Sequence, residues 1–231
     1  MERKKPELIV MLTYNDATVA DAMEIFEQCR DSRIQFWGFK EATLPPEQIK
    51  ALYARMKACS KTTVLEVVAY SPQEGMDGAR LAAWCGCDIL MGTVFSDEIN
   101  DFCRENGIKY MPFVGTVTGR PSVLSGDIDG MIDEARTYLE KGVYGIDLLG
   151  YRYTGDPAVL NERFVSEIDA PVCIAGSINS WQRLEAVSHA APWAFTIGSA
   201  FFDKKFGGNF KQQIETVNCF IKGNMTEEKD V

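Results

Sequence analysis

Three observations predict a single (β/α)8 barrel. Eight apolar or β-branched runs alternate with eight helical stretches along the chain. Most of those runs are near-continuously apolar, as parallel strands covered by helices are. The last third carries two Gly-Ser turns of the same chemistry, each directly after a run. A length of 231 residues suits one such barrel. A doubly wound sheet is the main alternative, but it needs a glycine-rich phosphate turn after an early strand. The first run is followed instead by Tyr14-Asn15-Asp16. No linker, low-complexity segment or internal repeat interrupts the rhythm. The barrel is expected over 1–222, with 223–231 a loose polar tail.

The runs are LIVMLT, IQFWGF, TTVLEVVAY, DILMGTVF, IKYMPFV, YGIDLL, PVCIAG and WAFTIG. Helical signals separate them. Thr18 with Asp21 resembles a capping box, and Val19, Ala22, Met23 and Phe26 share a face. Pro45-Pro46 opens the second helix, with Ile49, Leu52, Tyr53 and Met56 at the inward spacing. Ser71-Pro72-Gln73-Glu74 combines a cap, a first-turn proline and a box glutamate. Ser96 caps the fourth helix, with acids in its first turn and Gly107 after its end. Ile128, Ile132, Ala135 and Leu139 mark the fifth. Asp156-Pro157 opens the sixth, with Leu160, Phe164 and Ile168 inward, and Ser180 caps the seventh. Gly207-Gly208-Asn209 precedes the last, which turns Phe210, Ile214, Val217 and Ile221 inward.

Composition excludes several classes of function. Apolar residues at 46% and charged residues at 25% describe an ordinary globular chain. A net charge of −9 argues against a nucleic-acid or anionic-membrane surface, though not against a local cationic pocket. The apolar run from Leu8 to Leu12 is too short for a signal or membrane segment, so a cytoplasmic protein is expected. A homo-oligomer is compatible with this composition. Seven cysteines without a paired motif read as reduced, mostly buried thiols. The one histidine, His189, falls at a helix end and reads as a cap or surface residue. That removes histidine-ligated metals and histidine-based triads.

Charges inside apolar runs are the informative exceptions. Lys40 ends the second run, Glu66 interrupts the third, Asp147 interrupts the sixth, and Arg152 follows it. Residues at the C-terminal ends of barrel strands face the mouth, where barrel enzymes keep their chemistry. Each has a structural explanation as well: a buried acid tying barrel layers together, or a lysine whose stem packs on Trp37 or Phe39. The three candidate catalytic residues, Lys40, Glu66 and Asp147, support two mechanisms. Lys40 as a Schiff-base nucleophile needs a depressed pKa, which nearby acids oppose and burial favours. A protonated Lys40 would instead polarise a carbonyl or enolate oxygen while a carboxylate removes a proton from the adjacent carbon. A third reading makes Glu66 and Asp147 ligands of Mg2+; no other cofactor is expected. Thr13, Tyr14, Asn15 and Thr93 are further polar residues at strand ends. The long segment GTVTGRPSVLSGD is expected to be a lid or an exposed loop, with Arg120 as an anion clamp. Tyr151, Arg152 and Tyr153 would line the opposite wall.

Ala175-Gly176-Ser177-Ile178 and Ile197-Gly198-Ser199-Ala200 place small residues where backbone amides and a helix N-terminus can meet an anion. Loops after the last two barrel strands frequently build a phosphate site. Together these two motifs resemble the phosphate grip of the ribulose-phosphate-binding barrel superfamily, closely over the last third and in architecture elsewhere. The resemblance implies a phosphate ester held at Gly176, Ser177, Gly198 and Ser199. It implies isomerase, epimerase, decarboxylase, ring-closing or aldol-type chemistry. The chain lacks the metal-binding histidines of ribulose-phosphate epimerases and the Asp-x-Lys-x-x-Asp of the decarboxylase branch. It has Ala175 where the N-acetylmannosamine-6-phosphate epimerases have a glutamate. No member family is matched, and no catalytic role is carried over. The expected function is an isomerase, epimerase or lyase on a phosphorylated carbonyl compound. A non-catalytic phosphometabolite-binding barrel is the competing class, and it has no use for buried acids at the mouth.

Overall fold

The computed structural model describes residues 5–41 and 43–223. The expected tail, beyond Gly223, lies outside them. In chain order, β1 (Glu7–Met11) leads through a small hairpin, β2 (Thr13–Tyr14) and β3 (Ala17–Thr18), into α1 (Ala22–Cys29). There follow β4 (Phe36–Lys40), α2 (Pro46–Ala58), β5 (Thr62–Val67), α3 (Pro72–Cys85), β6 (Ile89–Gly92), α4 (Asp97–Glu105) and β7 (Lys109–Met111). A second hairpin, β8 (Thr116–Thr118) and β9 (Val123–Ser125), precedes α5 (Ile128–Glu140) and β10 (Ile146–Leu148). A 3-10 turn at Gly150–Arg152 leads to α6 (Pro157–Glu167), β11 (Val172–Ile174), α7 (Trp181–Ala190), β12 (Ala194–Ile197), α8 (Ser199–Phe202) and α9 (Phe210–Lys222).

Eight strands form one parallel sheet in the order β10-β11-β12-β1-β4-β5-β6-β7. Two backbone bonds join its outer strands: Tyr144 N–H donates to the Tyr110 carbonyl at 2.9 Å, and Asp147 N–H to that of Pro112 at 3.0 Å. The sheet therefore closes into a (β/α)8 barrel. All eight apolar runs supply a barrel strand. Apolar residues on the outer faces of the strands pack under the helices, and Ile49, Leu52, Tyr53 and Met56 of α2 are all buried there. A smaller cluster, including Ile9, Met11, Val64, Met91, Met111 and Cys173, fills the barrel interior. Phe36, Tyr144 and Trp193 pack against it, and the Trp193 ring meets those of Phe36 and Tyr144 edge-to-face, with centroids 5.4 and 5.9 Å apart.

Most helix starts follow their sequence signals. Ser71 accepts from the Glu74 N–H, Asp156 from Ala158, Ser180 from Arg183, and Asn209 with Gln212 forms a capping box. Thr18 does not cap α1, whose N-cap is Asp21. It lies in β3 instead, and its hydroxyl is committed to the backbone of Lys40. Ser96 sits at the start of α4 but makes no side-chain cap bond. All seven cysteines are free, five of them buried. Burial pushes the Cys85 and Cys87 thiols up to about 11. His189 lies in the last turn of α7 with its ring 3.9 Å from the Glu162 carboxylate, on the surface as expected.

Candidate active site

The C-terminal ends of β1, β4, β5, β11 and β12 surround one cavity. Lys40 and Glu66 line its floor, and Gly176, Ser177, Gly198 and Ser199 line one side. Its volume of about 140 Å3 compares with the ~10–15 Å3 that a single water needs, so it admits an organic molecule. The two Gly-Ser turns predicted as a phosphate grip thus share a cavity with the charged strand ends.

Backbone geometry explains the small residues. Gly176 has φ 97, and a Cβ there would lie 2.8 Å from Arg152 Cγ. Ser177 follows with φ 65, so the chain turns sharply as it leaves β11. A Cβ on Gly198 would stand 2.8 Å from the Thr13 carbonyl oxygen, so only glycine lets the end of β12 lie against the end of β1. Ser199 then starts α8, and its hydroxyl accepts the Asn15 N–H at 3.1 Å. Arg183 in α7 donates to the Ser177 carbonyl and lies over the Tyr151 ring, which steadies the first turn from behind.

Lys40 and Glu66 are register partners on adjacent strands. Lys40 Nζ stands 3.7 Å from Glu66 Oε1 and 2.8 Å from Asp16 Oδ1. Burial alone would pull the Lys40 pKa down, but Glu66 and Asp16 outweigh it and hold it above the ordinary lysine value. Burial likewise opposes ionisation of Asp16. The hydrogen bond and charge of Lys40, with Arg152 and Arg120 behind it, keep its carboxyl below the usual range. Arg152 Nη2 lies 3.9 Å from the same Asp16 oxygen, and Arg152 also lines the cavity.

The structure separates the remaining candidates. Asp147 points into the barrel but is sealed from the cavity: it is 1% exposed, and neither carboxylate oxygen has a hydrogen-bond partner. Burial first, and the Glu66 charge second, push its pKa well above the ordinary value. Lys40 and the nearby Gly92 N–H, which falls short of hydrogen-bonding geometry, offset little of this. Asn15 reaches the site through its backbone rather than its side chain. Arg120 lies at the tip of the β8–β9 hairpin, donates to the Val68 carbonyl at 2.9 Å, and does not line the cavity. The Thr93 hydroxyl is engaged by Tyr110 at 2.6 Å. Among the described residues, no group of three or more His, Cys, Asp or Glu side chains converges to hold a metal ion.

The segment expected as a lid or loose loop is an anchored hairpin. Tyr70 Oη donates to the Gly119 carbonyl at 2.7 Å and lies 2.8 Å from Ser122 Oγ. Arg152 reaches the Ser122 carbonyl, and Leu124 pairs with Tyr153. Ser122 itself lines the cavity. Two of the acids lining the cavity were not singled out in the sequence: Asp16, and Asp203, whose carboxylate accepts from Tyr14 Oη at 3.2 Å. Asp16 follows a strand end at one remove, and only the return of the β2–β3 hairpin carries it over Lys40.

No protein-family model and no curated protein matches the sequence. Solved structures do match. Orotidine 5'-phosphate decarboxylase from Pyrococcus horikoshii OT3 superposes with a TM-score of 0.68 at 12% identity, over 94% of this chain and 99% of that one. The likeness is one of fold. The native KDPGal structure gives 0.67 at 15% identity over 95% and 94% of the two chains. N-acetylmannosamine-6-phosphate 2-epimerase from Clostridium perfringens gives 0.63 at 12% over 97% and 95%. This protein is a complete barrel of the same architecture as all three.

Proposed function

We propose that this barrel is an enzyme acting on a phosphorylated carbonyl compound by proton abstraction next to the carbonyl, as an isomerase, epimerase or lyase. The observation that carries the reading is the shared cavity, which puts the two Gly-Ser turns and the Lys40–Glu66 pair within reach of one small molecule. The phosphate would rest against Gly176, Ser177, Gly198 and Ser199, with Arg152 beside Gly176 supplying positive charge. The carbonyl would face Lys40. Its ammonium, kept charged by its acid neighbours, polarises the oxygen and stabilises the enolate as it forms. Glu66, 3.7 Å from Lys40 in the same cavity, would take the proton from the adjacent carbon.

The Schiff-base route through the same lysine needs its neutral amine, which Asp16 and Glu66 oppose. Asp147 is assigned no contact with substrate, being closed off from the cavity. The experiment is proton exchange in D2O with a panel of aldose and ketose phosphates, followed by proton NMR. Deuterium should enter carbon-bound positions of a substrate with wild-type protein and not with Glu66→Gln. Failure of every bound sugar phosphate to exchange would sink the proton-abstraction reading.

A further inference from the structure

Among the described residues, Asp16 is the one acid in the cavity that touches Lys40 within hydrogen-bonding distance, at 2.8 Å. Three features hold it there. Asn15 and Asp16 form the turn of the β2–β3 hairpin with φ of 48 and 62, a left-handed pair that Asn and Asp adopt at little cost. Thr18, at the return of the hairpin, clamps the Lys40 backbone from both sides, its hydroxyl donating to the carbonyl at 2.7 Å and accepting from the N–H at 3.1 Å. Arg152, from the far side of the cavity, lies 3.9 Å from the same Asp16 oxygen that Lys40 contacts. The hairpin is thus fixed to the end of β4 at two points. It presents a carboxylate to the lysine from above while Glu66 faces it from the neighbouring strand.

We propose that Asp16 is a positioning residue that holds Lys40 as a paired cation, aimed across the cavity floor, and so keeps it from acting as an amine nucleophile. The proposal rests on the function assigned above, because it specifies which form of Lys40 that chemistry uses. With Asp16 removed, Lys40 keeps its burial, which favours the neutral amine, and loses its hydrogen-bonded counter-charge, so that Glu66 at 3.7 Å is left to oppose that burial. The same barrel would then carry a lysine with a larger share of neutral, nucleophilic amine. Asp16 thus shifts Lys40 toward electrophilic rather than Schiff-base chemistry, alongside Glu66.

Reductive methylation with formaldehyde and cyanoborohydride tests this without a substrate. The neutral amine attacks the aldehyde carbon and water leaves to give an imine. Hydride from cyanoborohydride then reduces the carbon–nitrogen double bond, leaving a methylated amine that peptide mass spectrometry assigns to its lysine. In wild-type protein near neutral pH, Lys40 should react at least tenfold more slowly than Lys204 and Lys205. Asp16→Asn should raise its rate about tenfold or more, the change expected for each unit by which a lysine pKa falls. Asp16→Glu should return it toward the wild-type rate. Equal Lys40 rates in wild type and Asp16→Asn would overturn the proposal. If Asp16→Asn does not fold, the pH dependence of Lys40 methylation in wild-type protein decides instead. A half-reaction pH below that of Lys204 and Lys205 overturns the proposal, and one above it supports it. Titration with inorganic phosphate, read by 31P NMR, tests the Gly-Ser turns separately, so failure of the phosphate site is distinguishable from failure of the Asp16 role.

Discussion

Lys40 and Glu66 sit directly opposite one another on β4 and β5, with Nζ and Oε1 3.7 Å apart at the floor of the cavity. Parallel register fixes this pairing: two side chains at the same level on adjacent strands cannot be separated without slipping the sheet. Both sides of the pair should therefore be needed for turnover. Lys40→Met and Glu66→Gln are each expected to lower kcat by about 10²–10⁴-fold, the range for loss of a positioned acid or base. Binding of inorganic phosphate at the Gly-Ser turns should persist in both. Steady-state kinetics beside 31P NMR titration checks the two halves.

Asp147 gives a prediction about stability. Its pKa is raised in the folded state, so the folded protein keeps a proton there that the unfolded chain loses above about the ordinary value of 3.8. In that window the unfolded state binds fewer protons, and stability falls as pH rises, by about 1.4 kcal/mol per pH unit for one group. The decline ends when the folded-state pKa is passed. Asp147→Asn, nearly the shape of the protonated acid, removes this dependence. The variant should melt with the wild type at acidic pH and above it at neutral pH, by several degrees. A wild type that melts higher at every pH would show that Asp147 is ionised and partnered.

The two turns predict steric sensitivity. Gly198→Ala drives a methyl group to 2.8 Å from the Thr13 carbonyl, and Gly176→Ala must adopt φ 97 while meeting Arg152. Each should cost on the order of 1–3 kcal/mol of stability. Each should also weaken phosphate binding at least tenfold. Calorimetric titration with phosphate and thermal melts would check both numbers on the same samples.

The hairpin over the cavity depends on Tyr70. Tyr70→Phe removes the bonds to the Gly119 carbonyl and to Ser122. The expected loss is about 0.5–1.5 kcal/mol, the usual net worth of such a bond. It should appear locally, as faster amide exchange in β8 and β9, while the barrel strands keep their protection. A raised KM with kcat nearly unchanged is the kinetic counterpart.

Much of this was legible in the chain. Short, β-branched, near-continuous apolar runs separated by helical stretches read as parallel strands covered on their outer faces, and caps such as Ser71, Asp156 and Asn209 act within one turn of their own position. Gly176 and Gly198 signal close backbone approach wherever they fall. Asp16 was not legible, because nothing local marks a turn aspartate as the partner of a lysine beyond the next helix. Asp147 and Glu66 looked alike as acids in apolar runs. In the folded barrel Glu66 opens onto the cavity, while Asp147 is sealed from it.

The sequence by itself determined the barrel, its eight units and the two small-residue turns, since periodicity and turn chemistry are properties of neighbouring residues. The tertiary structure decided which charges meet. The strand order β11-β12-β1-β4-β5 brought the turns after β11 and β12 beside the ends of β1, β4 and β5, and the β2–β3 hairpin folded Asp16 onto Lys40. Electrostatic interactions depend on distance through space and on burial, and neither is written in the order of the residues.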